Sequence, residues 1–116
     1  MPTWNVYNCC ILKDALRAKG GFVLDGVKRW ITNGNVADVA VVWARLEDKV
    51  HGFLVETDRP GFKAEQMHGK LSLRASVTSE LYFDNCWIPE ENRLPGTGSM
   101  KAPLSCLSNA RYGISW

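Results

Sequence analysis

The 116-residue sequence lacks the features of several classes of protein. It has no run of about 18 apolar residues, so we expect no membrane span. Its start, Met1-Pro2-Thr3-Trp4, lacks the basic-then-apolar order of a signal peptide, and we predict a cytoplasmic location. The net charge is only +2, from 14 basic and 12 acidic residues. That balance is too weak to indicate nucleic-acid binding, which favours clustered Lys and Arg on one face.

Metal-ligand spacing is also missing. There is no Cys-x-x-Cys pair, and the two histidines lie far from any cysteine in sequence, so we expect no metal site. The cysteines are predicted to be free thiols packed as small hydrophobes. If the adjacent pair Cys9-Cys10 is exposed, it could also oxidise and link chains. The remaining cysteines are Cys86 and Cys106.

The pattern that is present predicts a mainly β fold. Hydrophobic and charged contents of 46% and 22% are ordinary for one folded domain. Asp25-Gly26 favours a hairpin, because Gly readily takes the positive φ that tight turns need. Short strands joined by Gly, Asn and Asp turns indicate an antiparallel sandwich or barrel. The predicted strands are 22–24, 28–32, 39–44, 51–56, 62–67 and 80–88.

The two ends of the chain differ from this pattern. Residues 1–16 form an unassigned lead-in, where near-helical spacing of Ile11, Leu12, Ala15 and Leu16 is compatible with a short helix. Residues 94–103 are rich in Gly, Pro and Ser and are predicted to be a loop. Residues 104–116 are predicted to be the opening turns of a helix.

One strand carries residues suited to a ligand. Alternation predicts that Lys28, Trp30 and Thr32 point one way, with Arg29 and Ile31 pointing the other way. An indole beside a hydroxyl suits a planar heteroaromatic ligand, because a ring can pack on the indole while a heteroatom bonds the hydroxyl. The alternative is a core Trp beside a strand-favouring Thr, and spacing alone favours that alternative.

The same strand begins a longer pattern. Residues 22–33 read FVLDGVKRWITN, and 68–76 read HGKLSLRAS. Together with the stretches between and after them, they resemble, in order, the middle β-domain of acyl-CoA dehydrogenases, closest to glutaryl-CoA dehydrogenases. The resemblance covers residues 17–116. Its other stretches are 37–39, 41–44, 51–56, 87–92 and 106–114.

The resemblance implies roles for four residues and a cofactor, FAD. Trp30 matches a residue that lies against the flavin ring, and the hydroxyl of Thr32 matches one that bonds near the reactive flavin nitrogen. Ile31 matches a position whose backbone approaches the same ring. Arg111 matches a basic residue near the acyl-CoA site, although a surface salt-bridge role is an alternative. Arg74, Ser76 and Thr78 are implied to be structural.

Departures from the family limit the expected activity. Family enzymes carry a Thr-Glu-Pro…Gly-Ser-Asp segment before this domain, where 8–14 here read NCCILKD, and Ser108 stands where glutaryl-type enzymes have Asn. The family's catalytic carboxylate lies in a C-terminal helical domain, beyond the match. We therefore expect no catalytic residue here and no activity of the chain alone. Local acids are candidates by type only: Glu56, Glu65, Glu80, Glu90 and Glu91.

These observations leave three hypotheses. The first is part of an FAD-dependent acyl-CoA dehydrogenase, with residues 17–103 as its middle domain and 104–116 as the start of a C-terminal helix. The second is a stand-alone β-domain that binds flavin or another flat ligand. The third is a self-associating structural module. Exposed apolar surface would then favour a homodimer or a higher oligomer.

Overall fold

The computed structural model describes residues 4–5 and 14–115. In this part of the chain there are seven strands, a short 3-10 helix at Glu90–Asn92 and one α-helix. The strands and the helix are β1 (Trp4–Asn5), β2 (Asp14–Ala18), β3 (Gly21–Thr32), β4 (Val39–Leu46), β5 (Lys49–Glu56), β6 (Phe62–Gln66), β7 (Thr78–Pro89) and α1 (Lys101–Ile114).

The strands form two sheets that enclose one core. One sheet has the order β1-β4-β5, with β1 parallel to β4, and the other has the antiparallel order β2-β3-β7-β6. Fully buried side chains from both sheets meet between them, and the rings of Phe22 on β3 and Phe53 on β5 lie 5.2 Å apart. The predicted mainly β, antiparallel architecture is confirmed, and it is a sandwich.

The predicted hairpin at Asp25-Gly26 is wrong, because β3 runs through these residues without turning. The pairing with β7 shifts here, from Leu24 opposite Cys86 to Gly26 opposite Phe83. The chain advances two residues along β3 but three along β7, which is a β-bulge on β7. The extra residue is accommodated at Asn85, whose φ is 48°. The Asp25 carboxylate accepts a 2.8 Å hydrogen bond from the Asn85 amide and stabilises this bulge.

The lead-in is not helical where the structure describes it. Asp14–Ala18 is a strand paired with β3, and its side chains alternate between a buried Ala15 and an exposed Leu16. A second sheet contact is made by Trp4–Asn5, which pair with β4. Pairing with neighbouring strands therefore overrides the weak helical spacing. The rest of the lead-in, including Cys9-Cys10, lies outside the described residues.

The C-terminal helix is confirmed, but it begins at Lys101, three residues before its predicted start at residue 104. Pro103 is the third residue of α1 and is buried. Proline is tolerated there because the first-turn amides have no helical partner. Within the described residues, α1 packs extensively against none of the strands. With 14 residues it is also too short to cross a bilayer, and no other described helix could do so.

Candidate flavin-contact site

The segment around Trp30 is a second bulge, on the opposite strand to the first. Lys28 pairs with Leu81 and Ile31 with Ser79, so three steps along β3 match two along β7. The extra residue is accommodated at Trp30, whose φ is 61°. A left-handed backbone is costly for a residue with a Cβ, so this conformation is held by the pairing on either side.

The bulge changes which side chains share a face. Lys28 and Ile31 are buried, with 2% and 7% exposure, whereas Arg29, Trp30 and Thr32 are exposed. The predicted strict alternation is therefore wrong at Lys28 and Arg29, because the extra residue shifts the pattern by one. Trp30 is 59% exposed, so the core-tryptophan alternative is wrong as well. An open indole and the Thr32 hydroxyl flank the buried Ile31.

The turn after β3 holds this segment against β7. The Asn33 amide donates to the Val77 carbonyl at 2.8 Å, and the Asn35 amide donates to the Ser79 hydroxyl at 3.1 Å. A Cβ at Gly34 would lie 2.8 Å from a methyl carbon of Leu81 and 2.9 Å from the Cβ of Ser79. Only glycine allows this close approach without movement of the strand.

The residue before Trp30, Arg29, belongs to a hydrogen-bonded group with Glu80 and Tyr82. Arg29 forms an ion pair with Glu80, and Glu80 also accepts a hydrogen bond from the Tyr82 hydroxyl. This hydroxyl, followed by the Arg29 guanidinium, lowers the pKa of Glu80, while the bond to Glu80 raises the pKa of Tyr82. Among the candidate acids, Glu80 is the one that contacts Arg29, the neighbour of Trp30 in sequence. Because its pKa is lowered and its carboxylate already has two hydrogen-bond partners, Glu80 is a poor proton acceptor.

The other candidate acids are used elsewhere or exposed. Glu56 pairs with Arg59 and accepts bonds from the Asn92 amide group; the Arg59 bond is the main cause that lowers the pKa of Glu56 to about 2. Glu65 pairs with Lys63, Glu90 pairs with Arg93 at 2.8 Å, and Glu91 is exposed.

The structure does not pack Arg111 against the Trp30 segment. Arg111 is exposed on α1, and its guanidinium makes no ion pair with any side chain of residues 14–115. The cysteine prediction is correct for Cys86, which is buried and whose pKa is raised by that burial. Cys106 on α1 is also a free thiol, but it is exposed, so the predicted packing is wrong there.

Sequence reasoning missed the role of Lys70. Its ammonium donates to the carbonyls of Leu73 and Ser76 and to the hydroxyl of Thr78. Arg74 donates to the Lys70 carbonyl at 2.9 Å. Arg74, Ser76 and Thr78, which the resemblance implies to be structural, thus surround one lysine. The sequence offered one signal for this role, which is a lysine in the loop between two predicted strands.

Comparisons with known proteins identify the family to which this fold belongs. Residues 9–86 match the family model described as acyl-CoA dehydrogenase, middle domain. The crystal structure of a glutaryl-CoA dehydrogenase from Mycobacterium smegmatis in complex with FADH2 superposes with a TM-score of 0.86 at 48% identity. That alignment covers 96% of this chain and 31% of the other.

Curated relatives give the same family. The 2-methylacyl-CoA dehydrogenase, mitochondrial, of Solanum tuberosum is 41% identical over 71% of this chain and 21% of its own length. The benzylmalonyl-CoA dehydrogenase of Aromatoleum aromaticum is 40% identical over 82% of this chain and 27% of its own length. This chain thus spans about a quarter of the relatives it matches. It belongs to the acyl-CoA dehydrogenase family and corresponds to the middle β-domain.

Proposed function

We propose that this domain supplies the surface on which FAD packs in an acyl-CoA dehydrogenase. The observation that carries the proposal is the exposure of Trp30, 59% in a residue type that is usually mostly buried, next to the exposed Thr32. The bulge turns these two side chains outward while Ile31 remains in the core. A flat apolar ring and a hydroxyl match the two needs of an isoalloxazine ring: stacking, and a hydrogen bond to a ring heteroatom.

In this proposal three residues would hold the flavin. Trp30 would pack on the ring, Thr32 would bond a ring nitrogen, and the backbone at Ile31 would lie close to the ring. When bound, FAD supplies the electron sink for α,β-dehydrogenation of an acyl-CoA. The chain's own contribution is to present the indole and hydroxyl on a paired strand, which keeps them in a fixed relation.

The proposed substrate class is a glutaryl-CoA-like thioester, supported by the similarity to the Mycobacterium smegmatis enzyme. Arg111 is proposed to contact the acyl-CoA, although nothing in the fold packs it against Trp30. The candidate acids Glu56, Glu65 and Glu90 form ion pairs elsewhere, and Glu80 pairs with Arg29 and has a lowered pKa. We therefore propose that the 116-residue chain is inactive alone.

The test is the visible absorption spectrum of the purified chain, before and after addition of FAD. We expect the flavin bands to shift on addition, and expect Trp30→Ala and Thr32→Val each to weaken the shift. Val27→Ala, an exposed position on the same strand, serves as the matched control. An unchanged FAD spectrum with the unaltered chain would overturn flavin binding by this domain. Turnover of glutaryl-CoA with FAD and an electron acceptor would contradict the predicted inactivity.

We also propose that the chain self-associates as a homodimer or higher oligomer. The supporting observation is α1, where Leu104, Tyr112 and Ile114 are 48%, 67% and 84% exposed. An apolar helix surface of this kind favours association. Light scattering over a concentration series tests the proposal. A monomeric mass at the highest concentration would contradict it, and Leu104→Glu with Ile114→Glu should favour the monomer.

The location of the protein and the limits of its domains remain predictions. The cytoplasmic location is one, and the potato relative is a mitochondrial protein by its name. The domain limits are the other. Because β2 begins at Asp14 and pairs with β3, we propose that the middle domain starts there rather than at residue 17. The helical segment from residue 104 is proposed to lead away from it.

A further inference from the structure

The loop between β6 and β7 is organised around the half-buried ammonium group of Lys70. The three N–H donors of the Lys70 ammonium have three acceptors: the Leu73 carbonyl at 2.8 Å, the Ser76 carbonyl, and the Thr78 hydroxyl at 2.8 Å. An ammonium offers three donors and no acceptor, so this set satisfies it completely. The loop backbone is bent around it, with φ of 52° at Leu73.

This loop is joined to the Trp30 segment through the first residues of β7. Thr78 is the cross-strand partner of Thr32, so the residue that Lys70 grips lies directly opposite the proposed flavin-bonding residue. The amide of Asn33, the residue that follows β3, donates to the Val77 carbonyl at 2.8 Å. On the other side, the Met67 amide donates to the Thr78 carbonyl at 2.7 Å. Both ends of the loop are thus fixed at the same point of the sheet.

We infer that Lys70 is a positioning residue for Thr32 and Trp30, an inference that rests on the function proposed above. Opposed residues in an antiparallel pair lie about 5 Å apart at their Cβ atoms, so a shift of Thr78 is transmitted to Thr32. The left-handed backbone at Trp30 depends on the pairing of β3 on both sides of the bulge. Lys70 fixes the pairing on the C-terminal side, where β3 has only Ile31 and Thr32 left to pair.

The main variant is Lys70→Met, which keeps the stem length and removes the three donors. The matched control is Lys63→Met on β6, because Lys63 lies on the strand that leads into the same loop and pairs with the exposed Glu65. A milder second variant, Thr78→Val, removes the bond between the lysine and the strand together with the long 3.4 Å bond from the Thr78 hydroxyl to the Ser76 carbonyl. In this variant Lys70 still has its two carbonyl acceptors, which should hold the loop. Thr78→Val therefore provides a test if Lys70→Met fails to fold.

The first readout is FAD affinity, measured by difference absorption on the whole chain. We expect Lys70→Met to weaken binding by about tenfold, the lower end of what loss of an outer-sphere orienting group costs at metal sites. Lys63→Met should bind as the unaltered chain does. In a Thr32→Val background the effect of Lys70→Met should be smaller, because the part that Lys70 exerts through the Thr32 hydroxyl is already lost. Equal affinity of Lys70→Met and the unaltered chain, or an undiminished loss in the Thr32→Val background, would overturn the inference.

The second readout needs no ligand. Amide hydrogen exchange at Asn33 reports its bond to Val77, and we expect Lys70→Met and Thr78→Val to raise that rate roughly tenfold, with amides of β4 and β5 unchanged. Unchanged exchange at Asn33 in both variants would overturn the positioning role. If the unaltered chain does not bind FAD, the proposed function fails while exchange at Asn33 still decides the role of Lys70. The two failures are therefore separate.

Discussion

The two longest strand pairs of this domain are built in opposite ways. In β4–β5 every residue from Val39–Leu46 has a partner in unbroken register, and the strands meet at a two-residue turn, Glu47-Asp48, with both φ values positive. In β3–β7 the register shifts twice, and each shift has a left-handed residue, Asn85 on one strand and Trp30 on the other. Both pairs contribute side chains to the core, but only the irregular pair carries the candidate site.

The difference shows how a bulge redirects side chains. Along β3 the buried side chains of Phe22, Leu24 and Lys28 are even-numbered, and the next buried one is Ile31. Along β7 the buried Ser79, Leu81 and Phe83 are odd-numbered, and the next buried ones are Cys86 and Ile88. Because the two extra residues lie on opposite strands, the register regains its starting offset at the end of the pair. A sheet can therefore expose a tryptophan locally without losing its buried face.

The largest effect is expected in the regular pair. Phe53→Ala removes a fully buried ring of β5 that packs 5.2 Å from Phe22. We expect a loss of about 3–5 kcal/mol in the free energy of unfolding, measured by urea denaturation. Val27→Ala on the outer face of β3, where the side chain is 52% exposed, should cost less than about 0.5 kcal/mol. Similar losses for the two variants would contradict the placement of Phe53 in the core and of Val27 on the outer face of the sheet.

The next effect tests the bulge on β7. Gly61 has a φ of +86°, and a Cβ there would lie 2.3 Å from the Asp84 carbonyl oxygen, next to Asn85. We expect Gly61→Ala to cost about 3 kcal/mol from strain and overpacking together. Gly69→Ala has a similar φ of +75° with no atom within 4 Å, so it should cost only the strain, about 1 kcal/mol. Equal midpoint shifts in urea would show that the contact with Asp84 is unimportant.

A smaller effect concerns the ion pair that ends the regular pair of strands. The pKa of Glu56 is about 2 in the folded chain against an ordinary 4.5, so the pair stabilises the fold above pH 4.5. That contribution is lost as the pH falls from 4.5 to 2. The Glu56 side chain is 42% exposed, and solvent screening reduces the expected contribution to about 1 kcal/mol. Glu56→Gln should flatten the stability profile in this pH range; an unchanged slope would contradict the assignment.

The smallest effect isolates the backbone at Trp30. Trp30→Gly and Trp30→Ala both remove the indole, but only glycine adopts a φ of 61° without a Cβ penalty. We expect the glycine variant to be more stable than the alanine variant by about 1 kcal/mol. At Val27, which lacks a positive φ, the order should reverse. The melting temperatures of the four variants test this prediction. The same order of glycine and alanine stability at Trp30 and at Val27 would contradict it.

The fold was largely predictable, for particular reasons. Strands 39–44 and 51–56 are apolar runs bounded by polar turns, and they appear as β4 and β5 with slightly longer limits. The hairpin predicted at Asp25-Gly26 was wrong because glycine is favoured both in tight hairpin turns and at β-bulges, so the sequence pattern does not distinguish them. Ala15 and Leu16 misled it because a short segment takes its conformation from the strand beside it.

The candidate site divides in the same way. The sequence by itself determined that an indole and a hydroxyl stand two residues apart on a strand, and the motif order determined the family. Only the tertiary structure decided that Trp30 is exposed, that Lys28 is buried and that Lys70 supports Thr78. The reason is that exposure along a strand depends on register with its neighbour, and one extra residue in that register reverses every side chain beyond it.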